Sequence, residues 1–375
     1  MGVLKRGRVA AIGLACVVSA LGCRVPRIAE RTDPCVGSEC LRPDVTCAYD
    51  SADCNPAVAD VAEQVRTLRD HGGTLGFHLR AMPAPSRWNH WQSIQRMAGS
   101  SSNVLLATRS TPRPADADLA VIELGSRSTD GGALGANRDG EAPPASDQVI
   151  AAMASATSYT HAGGTQLLGK LLAVPLERDV RGSQVELVDL QTPSHPVSVG
   201  AIQHTVADGT SGEAGTASMA RLADGHFLLA IGRRDARILD FYRSTTTSVH
   251  ATEWKLWDTW HVDELTTAIG EDDYGDYQNL NLIAGTDGRL FLLGLHEDGI
   301  LRRSQWIDLF EIGGGREVTL TKVAKRRLQC ASGCNLDAGG GSYIDARGRL
   351  IVYGIEYTNS GPGASVRVVE FEPGA

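Results

Sequence analysis

The sequence lacks the features that would indicate nucleic-acid binding or a membrane-spanning helix. Its 375 residues contain 36 lysines and arginines against 44 aspartates and glutamates, a formal net charge of −8, with no dense basic stripe. The electrostatic footprint of a nucleic-acid-binding protein is therefore missing. The main apolar run, residues 9–22, is shorter than the roughly 20 residues that a spanning helix needs.

Several catalytic and metal-binding motifs are also absent. No GxSxG, HExxH or GxxxxGK[ST] motif occurs, and no GxGxxG follows a clear strand. Serine hydrolases of the nucleophile-elbow type, zincins, P-loop proteins and dinucleotide enzymes therefore lose support. Aromatic residues make up only 5%, whereas there are 42 glycines, which is typical of a loop-rich globular protein.

The N-terminal residues predict export. A short basic start at residues 5–8 precedes the apolar run, so residues 1–22 are predicted to be a signal peptide. The run ends in the letters ALGC, which resemble the lipobox of bacterial lipoproteins, although Ala20 replaces the usual Leu. The resemblance implies that Cys23 carries lipid and holds the protein in the cell envelope, as an outer-membrane or surface lipoprotein. The alternative is ordinary cleavage near Gly22, which would release a secreted protein.

Six cysteines remain after the signal and the lipid site, and an even number in an exported chain predicts disulfides. They are Cys35, Cys40, Cys47, Cys54, Cys330 and Cys334. The first four predict two bridges in one of three pairings, and the last two predict a local bridge. Zinc is disfavoured because no CxxC occurs and no His lies within the first group. Residues 23–54 lack apolar periodicity and are predicted to form a Cys-rich tether, or stalk.

A short helix is predicted within residues 55–73. Asn55-Pro56 has the pattern of an N-cap followed by proline in the first turn, and Gly72-Gly73 ends the run. Apolar residues recur at helical spacing at Val58, Val61, Val65 and Leu68. Because an isolated helix of this length is marginal in water, we expect this face to pack on the main body.

Five similar β-rich units follow, over residues 74–375. Equivalent positions at Leu106, Leu172, Leu229, Leu292 and Val352 lie 66, 57, 63 and 60 residues apart. Each unit has three apolar strands, and additional strands are predicted between units from residues 196, 253 and 318. Hairpin turns are predicted at Asp224-Gly225, Asp287-Gly288 and Arg347-Gly348. Three or more strands per unit at a near-regular period is typical of propeller blades.

The pattern resembles secreted bacterial β-propeller proteins of the five-bladed type. The resemblance implies an all-β fold. Residues 75–82 precede the first unit and belong to none of the five, so we predict that they close the ring as the outer strand of the fifth blade, beside the strand at Val366. Residues 125–158 are predicted to be a flexible insertion, with the strand from residue 148 completing the first blade. A six-bladed ring stays open as an alternative if this insertion contains a degenerate blade.

The loops that lead into the innermost strands of a propeller gather around its axis, where a concave ligand site is expected. They offer seven predicted ligand-binding residues, Trp88, His90, Trp91, His161, Tyr277, Gln278 and Asn335. They also offer three acids, Glu213, Asp276 and Asp337. Aromatic, amide and acidic groups together suit a polar ligand such as a sugar. The alternative is that these residues bind loop backbones or fill the channel.

The predicted function is therefore binding of a carbohydrate or an envelope protein at the axial face. One alternative is glycan hydrolysis by Glu213, Asp276 and Asp337, because five-bladed propellers include glycosidases with paired carboxylates. That family's usual Asp on the first inner strand is not matched here. Another alternative is a scaffold for protein interactions.

Two further sets of residues have structural or metal-binding interpretations. Asp272, Asp273 and Asp276 are calcium candidates because carboxylates beside a glycine turn supply oxygen ligands, although a solvated loop fits as well. No other cofactor is predicted. Acids that recur with the repeat are expected to pair with neighbouring strands: Glu123, Asp189, Asp240, Glu311 and Glu370. Trp254, Trp257 and Trp260 are expected on an outer strand, packed between blades.

Overall fold

Five β-sheets of four or five strands, antiparallel except for one short parallel pair at residues 266–267, follow one another along the chain and form a five-bladed β-propeller. The predicted five-bladed fold is confirmed, and the described residues contain no sixth sheet. The structure, a computed structural model, describes residues 38–78, 90–101, 103–110, 117–125, 148–154, 159–177, 182–204, 213–248, 253–270, 273–298, 304–315, 317–330, 334–356 and 365–374. They belong to one unit, residues 36–375. The predicted signal peptide, Cys23 and Cys35 lie outside the described residues.

The strand β1 (Gly73–His78) precedes the first blade in sequence. Blade 1 contains β2 (His90–Arg96), β3 (Val104–Ser110), β4 (Asp118–Glu123) and β5 (Gln148–Ala154). Blade 2 contains β6 (His161–Ala162), β7 (Gln166–Leu168), β8 (Leu171–Glu177), β9 (Ser183–Asp189) and β10 (Val197–His204). The strand from residue 148 thus completes blade 1, as predicted.

Blade 3 contains β11 (Thr216–Arg221), β12 (Phe227–Arg233), β13 (Ile238–Ser244) and β14 (Trp254–His261). Blade 4 contains β15 (Thr266–Thr267), β16 (Asn279–Ala284), β17 (Leu290–Asp298), β18 (Ser304–Gly314) and β19 (Val318–Leu328). Blade 5 contains β20 (Cys334–Asn335), β21 (Gly340–Ile344), β22 (Leu350–Glu356) and β23 (Ser365–Phe371). The outer strands predicted from residues 196, 253 and 318 are therefore confirmed.

The N-terminal strand closes the ring. β1 pairs antiparallel with β23, and Phe77 lies opposite Val366 in the register. The predicted closure is confirmed for residues 75–78, the described part of the predicted segment. Because β1 covers the free edge of β23, the sheet of blade 5 has five strands and no exposed edge at β23.

The turns between the first two strands of the blades use glycine where a left-handed backbone is needed. Gly225, Gly288 and Gly348 have φ angles of 84°, 83° and 72°. These values suit glycine, which has no Cβ to clash. The predicted hairpins are confirmed, and they place all of these turns at one end of the ring.

The hydrophobic core lies between the blades. Separate buried clusters join blades 1 and 2, blades 2 and 3, blades 4 and 5, and blades 5 and 1. Blades 3 and 4 meet through rings: Trp260 of β14 is fully buried and contacts Tyr274, which contacts Phe310 of β18. The expected outer-strand position of the tryptophans is confirmed, and Trp260 packs between blades as predicted.

The short helix α1 (Val61–Thr67) begins later than predicted. Asp60 is its N-cap and accepts the N–H of Glu63, whereas Asn55 bonds to the Leu167 carbonyl and the Gly169 N–H of blade 2. The N-cap prediction at Asn55 is wrong because that amide is used by another blade. The predicted apolar face is buried against blades 4 and 5.

The described part of the predicted tether, residues 38–54, lies on the propeller. The N–H of Asp44 donates to the Arg221 carbonyl of blade 3, and the Ala52 carbonyl accepts the Lys170 N–H of blade 2. The Tyr49 ring stacks edge-on against Tyr343 of blade 5 at 6.4 Å. These residues run across the inner hairpin turns, so this part of the chain is not a free stalk.

Disulfides join Cys47 to Cys54 and Cys330 to Cys334, and Cys40 is also disulfide-bonded. The Cys47–Cys54 bridge closes the loop that carries Tyr49 and Ala52 to the inner turns. No helix of the described residues has both the length and the hydropathy to cross a membrane.

The recurring acids have structural contacts, although their partners differ. Glu370 accepts the Tyr353 hydroxyl and lies 4.0 Å from Arg96 of blade 1. Glu311 pairs with Arg289 at 2.9 Å. Asp240 is buried among residues of blades 2 and 3. The expectation that they pair with neighbouring strands holds for these three.

Candidate ligand-binding cavity

A polar cavity of about 610 Å³ lies at the end of the ring where the inner strands begin. All five blades contribute to it. Its lining residues are His90, His161, Glu177, Glu213, Gly215, Arg234, Asp235, Gln278, Asn335, Asp337 and Ala338. Because each inner strand runs from this cavity to the hairpin turns, residues 38–54 lie at the opposite end of the axis.

The floor of the cavity is a layer of buried amides that fills the axis. The Gln166 side chain of blade 2 accepts the N–H groups of Met219 in blade 3 and Leu282 in blade 4. Gln95 of blade 1 donates to the Thr165 carbonyl at 2.9 Å. Since these side chains bond across blades, they close the channel beneath the cavity and leave it open at one end.

The inner strands approach one another so closely that glycine is required. A Cβ at Gly164 would lie 2.0 Å from the Gln278 carbonyl oxygen, and a Cβ at Gly341 would lie 1.7 Å from that of Ile94. Backbone atoms cannot yield as a flexible side chain could. The narrow waist of the ring therefore depends on these glycines.

Six of the predicted site residues line the cavity: His90, His161, Glu213, Gln278, Asn335 and Asp337. Trp91 does not, because it is buried between blades 5 and 1. Tyr277 is also buried, and its hydroxyl donates to Asp308. Asp276 is exposed beside Arg237 at 3.3 Å, and Trp88 lies outside the described residues. The described lining thus contains no Trp, Tyr or Phe on which a sugar ring could stack.

Three lining residues were missed by sequence reasoning, namely Glu177, Arg234 and Asp235. They lie where the second strand of a blade ends and turns toward the third. Since the first two strands are antiparallel, this turn reaches the same end of the ring as the start of the inner strand. The antiparallel pairing of the first two strands is therefore a signal that points to these residues, which the loops before the inner strands do not contain.

Glu177 and His161 form a hydrogen-bonded pair on the wall of the cavity. His161 Nδ1 lies 2.9 Å from one Glu177 oxygen, and the other oxygen accepts the Ala214 N–H at 2.7 Å. Burial alone would raise the pKa of Glu177, but these two donors hold it below its ordinary value. The Glu177 carboxylate is thus favoured in its ionised form.

Asp235 has the opposite electrostatic environment. Partial desolvation in the cavity mouth and the nearby carboxylates of Asp276, Glu213 and Glu177 raise its pKa. It occupies a turn of three consecutive left-handed residues, with φ angles of 51° at Arg234, 54° at Asp235 and 60° at Ala236. Such strain persists where surrounding structure fixes the backbone, and the Glu213 carboxylate accepts the Arg234 N–H at 3.0 Å.

Blade 5 presents an amide and an acid from a single helical turn, α2 (Leu336–Gly339). The Asn335 Oδ1 accepts the Ala338 N–H at 2.9 Å and so caps this turn. The Asp337 Oδ1 accepts the Gln278 N–H at 3.3 Å, which ties blade 5 to blade 4 at the rim. The backbone of Gln278 and the side chain of Asn335 thereby acquire fixed positions on the wall.

The calcium candidates are already engaged with cations. Asp273 contacts Lys322 and Lys325, and Asp276 contacts Arg237. Asp272 lies outside the described residues. Within the described ranges, no group of three or more His, Cys, Asp or Glu residues is arranged to hold a metal ion.

No protein-family model and no curated protein matches the sequence. Solved structures with some likeness include the α-L-arabinanase of Penicillium chrysogenum complexed with arabinobiose, at 12% identity over 76% of each chain with a TM-score of 0.33. Another is the β-fructofuranosidase of Bombyx mori in complex with sucrose, at 10% identity over 75% of this chain and 60% of that one with a TM-score of 0.42.

A third is the subtype N11 neuraminidase-like protein of A/flat-faced bat/Peru/033/2010, at 11% identity over 84% of this chain and 96% of that one with a TM-score of 0.39. Because these scores are low, the likenesses carry no argument about activity. The fold class rests on the five sheets themselves: the chain is a five-bladed β-propeller with a polar cavity at one end of its axis.

Proposed function

We propose that the protein binds a carbohydrate in the axial cavity. The observation that carries this proposal is the cavity itself: about 610 Å³, closed at its floor and lined by polar groups from all five blades. This volume is within the range of small-molecule sites and admits one or two sugar residues. Amides, carboxylates and imidazoles at fixed positions suit the directed hydrogen bonds of hydroxyl groups.

The proposed location follows from the sequence. Export and anchoring through lipid on Cys23 rest on the signal-like residues 1–22 and the ALGC letters. Replacing Cys23 by Ser in the full chain should release the protein from the membrane fraction. Unchanged processing and retention would contradict the lipid anchor.

A thermal-shift screen of the disulfide-intact protein against mono- and oligosaccharides tests the binding proposal. A ligand that binds only the native state raises the melting temperature in a saturable way. Gln278→Ala should weaken binding about threefold to tenfold, since one hydrogen bond contributes about 1 kcal/mol. Gln203→Ala, on the exposed outer strand β10, is the matched control. No shift with any sugar would contradict the proposal and favour an envelope-protein partner.

Glycoside hydrolysis is a second candidate, favoured by one observation. Two carboxyl groups of the same cavity, Glu177 and Asp235, have pKa values displaced in opposite directions. Such a split suits one group that donates a proton and another that stays ionised. Hydrolysis of nitrophenyl glycosides that is lost in both Glu177→Gln and Asp235→Asn would support this candidate. Full activity in both variants would exclude these two residues.

A further inference from the structure

The lining of the cavity is unbalanced in charge. Four carboxylates, on Glu177, Glu213, Asp235 and Asp337, face one arginine, Arg234. The Arg234 side chain is exposed, and it forms no ion pair with these four groups among the described residues. Among the described residues, the carboxylates of Glu213 and Asp235 thus line the cavity without an ion pair to a lysine or arginine.

Asp235 is the least compensated of these acids. No hydrogen-bond donor reaches its carboxylate within the described part of the chain, whereas Glu177 and Asp337 each accept a backbone N–H. Partial desolvation and the carboxylates of Asp276, Glu213 and Glu177 raise the pKa of Asp235, and the nearby Arg237 offsets this only in part. A cation beside Asp235 would relieve this repulsion.

An independent observation concerns Asn335, which is only 7% exposed yet lines the cavity. The Ala338 N–H fixes the Asn335 Oδ1 as the acceptor, so the amide orientation is set. The Nδ2 group then has no partner among the described residues. Because the Asn335 Nδ2 is accessible from the cavity, it can donate a hydrogen bond to a ligand hydroxyl or ring oxygen there.

From these features together we infer that the cavity selects an amino sugar: a hydroxylated ring with a protonated amine, held by the carboxylates of Asp235 and Glu213 and by the Asn335 amide. This inference rests on the proposed carbohydrate binding and specifies its substrate class. The cavity volume limits the bound part to one or two rings. The amine places a positive charge beside Asp235 and Glu213, and the hydroxyls use the amide donors.

Isothermal titration with four probes tests the inference: the glucosamine disaccharide, its N,N′-diacetyl form, cellobiose and trilysine. The three disaccharides share one backbone and differ in the amine. We expect the glucosamine disaccharide to bind at least about tenfold more tightly than both neutral sugars. This preference should shrink at high salt, because screening weakens charge pairs at a solvent-accessible site.

Matched variants identify the carboxylates involved. Asp235→Asn and Glu213→Gln should each weaken binding of the glucosamine disaccharide about fivefold more than binding of cellobiose. Asn also tolerates the left-handed backbone at position 235. Glu253→Gln removes an exposed carboxylate outside the lining and should leave both affinities unchanged.

The outcomes separate this inference from the proposed function. Equal affinity for cellobiose and the glucosamine disaccharide would overturn the amine preference and leave carbohydrate binding standing. Binding of trilysine alone would overturn both, and so would the absence of any response. An equal loss of affinity for the glucosamine disaccharide and for cellobiose in Asp235→Asn would also overturn the charge assignment, because a charge pair with the amine predicts a larger loss for the amino sugar.

Discussion

His204 and Asp240 join two neighbouring blades through a buried contact. The Nε2 of His204, on the outer strand of blade 2, lies 2.8 Å from the Asp240 Oδ2 of blade 3, and each residue is 2% exposed. Burial alone would raise the pKa of Asp240, but hydrogen bonds from His204, Thr259 and Arg233 hold it below its ordinary value. The contact is therefore a polar clamp within an apolar interface.

His204→Ala should lower the free energy of unfolding by about 2 kcal/mol, because it leaves buried polar groups without a partner. Urea denaturation followed by fluorescence measures the change. His195→Ala is the control, since the His195 side chain is exposed and bonds only Ser194 among the described residues, and this variant should stay within about 0.5 kcal/mol of wild type. Equal losses in the two variants would contradict a clamp at His204.

The ion pairs of Asp273 predict a pH dependence. Burial would raise its pKa, but Lys325 and Lys322 lower it to about 2. Because the ordinary value of Asp is about 3.9, the stabilisation is fully present above that pH and is lost as the pH falls toward the folded-state value. Asp273→Asn should therefore be less stable than wild type at pH 7. The difference in urea midpoint between the two proteins should become smaller below pH about 4. A difference that stays constant down to pH 3 would contradict this assignment.

The Cys47–Cys54 bridge should stabilise the ring from the end opposite the cavity. Replacing both by Ser should cost about 2 kcal/mol, as expected for a short disulfide loop. Hydrogen exchange locates the effect: the Lys170 amide, which bonds to the Ala52 carbonyl, should lose protection. The Gly215 amide at the cavity, which bonds to the Gly232 carbonyl, should keep its protection and serves as an internal control. Loss of protection at both amides would indicate global unfolding instead.

The architecture could be predicted from the sequence because each blade repeats the same local signals. Apolar strands separated by turns such as Asp287-Gly288 are local features, and their period fixes the number of blades. The closing strand β1 was predictable for a different reason: residues 75–82 belong to none of the five units, and a strand beside the last unit removes an exposed sheet edge. The repeat period and the closing strand can both be recognised in the sequence without knowledge of tertiary contacts.

The cavity was predicted only in part, because some of its residues depend on tertiary structure. The left-handed turn Arg234-Asp235-Ala236 contains no glycine, so the local sequence does not mark it. Trp91 and Tyr277 were expected in the site, but packing between blades buries both rings. The docking of residues 38–54 also depends on hydrogen bonds to distant turns. None of these contacts has a periodic signal.

The close approach of the inner strands can be tested by substituting two glycines with different surroundings. A Cβ at Gly341 would lie 1.7 Å from the Ile94 carbonyl oxygen, whereas a Cβ at Gly200 would meet nothing within 4 Å. Gly341→Ala should therefore separate blades 5 and 1 and destabilise the protein by about 2–3 kcal/mol, as overpacking against backbone does. Gly200→Ala should be neutral, and thermal unfolding measures both. A Gly341→Ala variant as stable as wild type would mean that the inner strands lie farther apart than this ring requires.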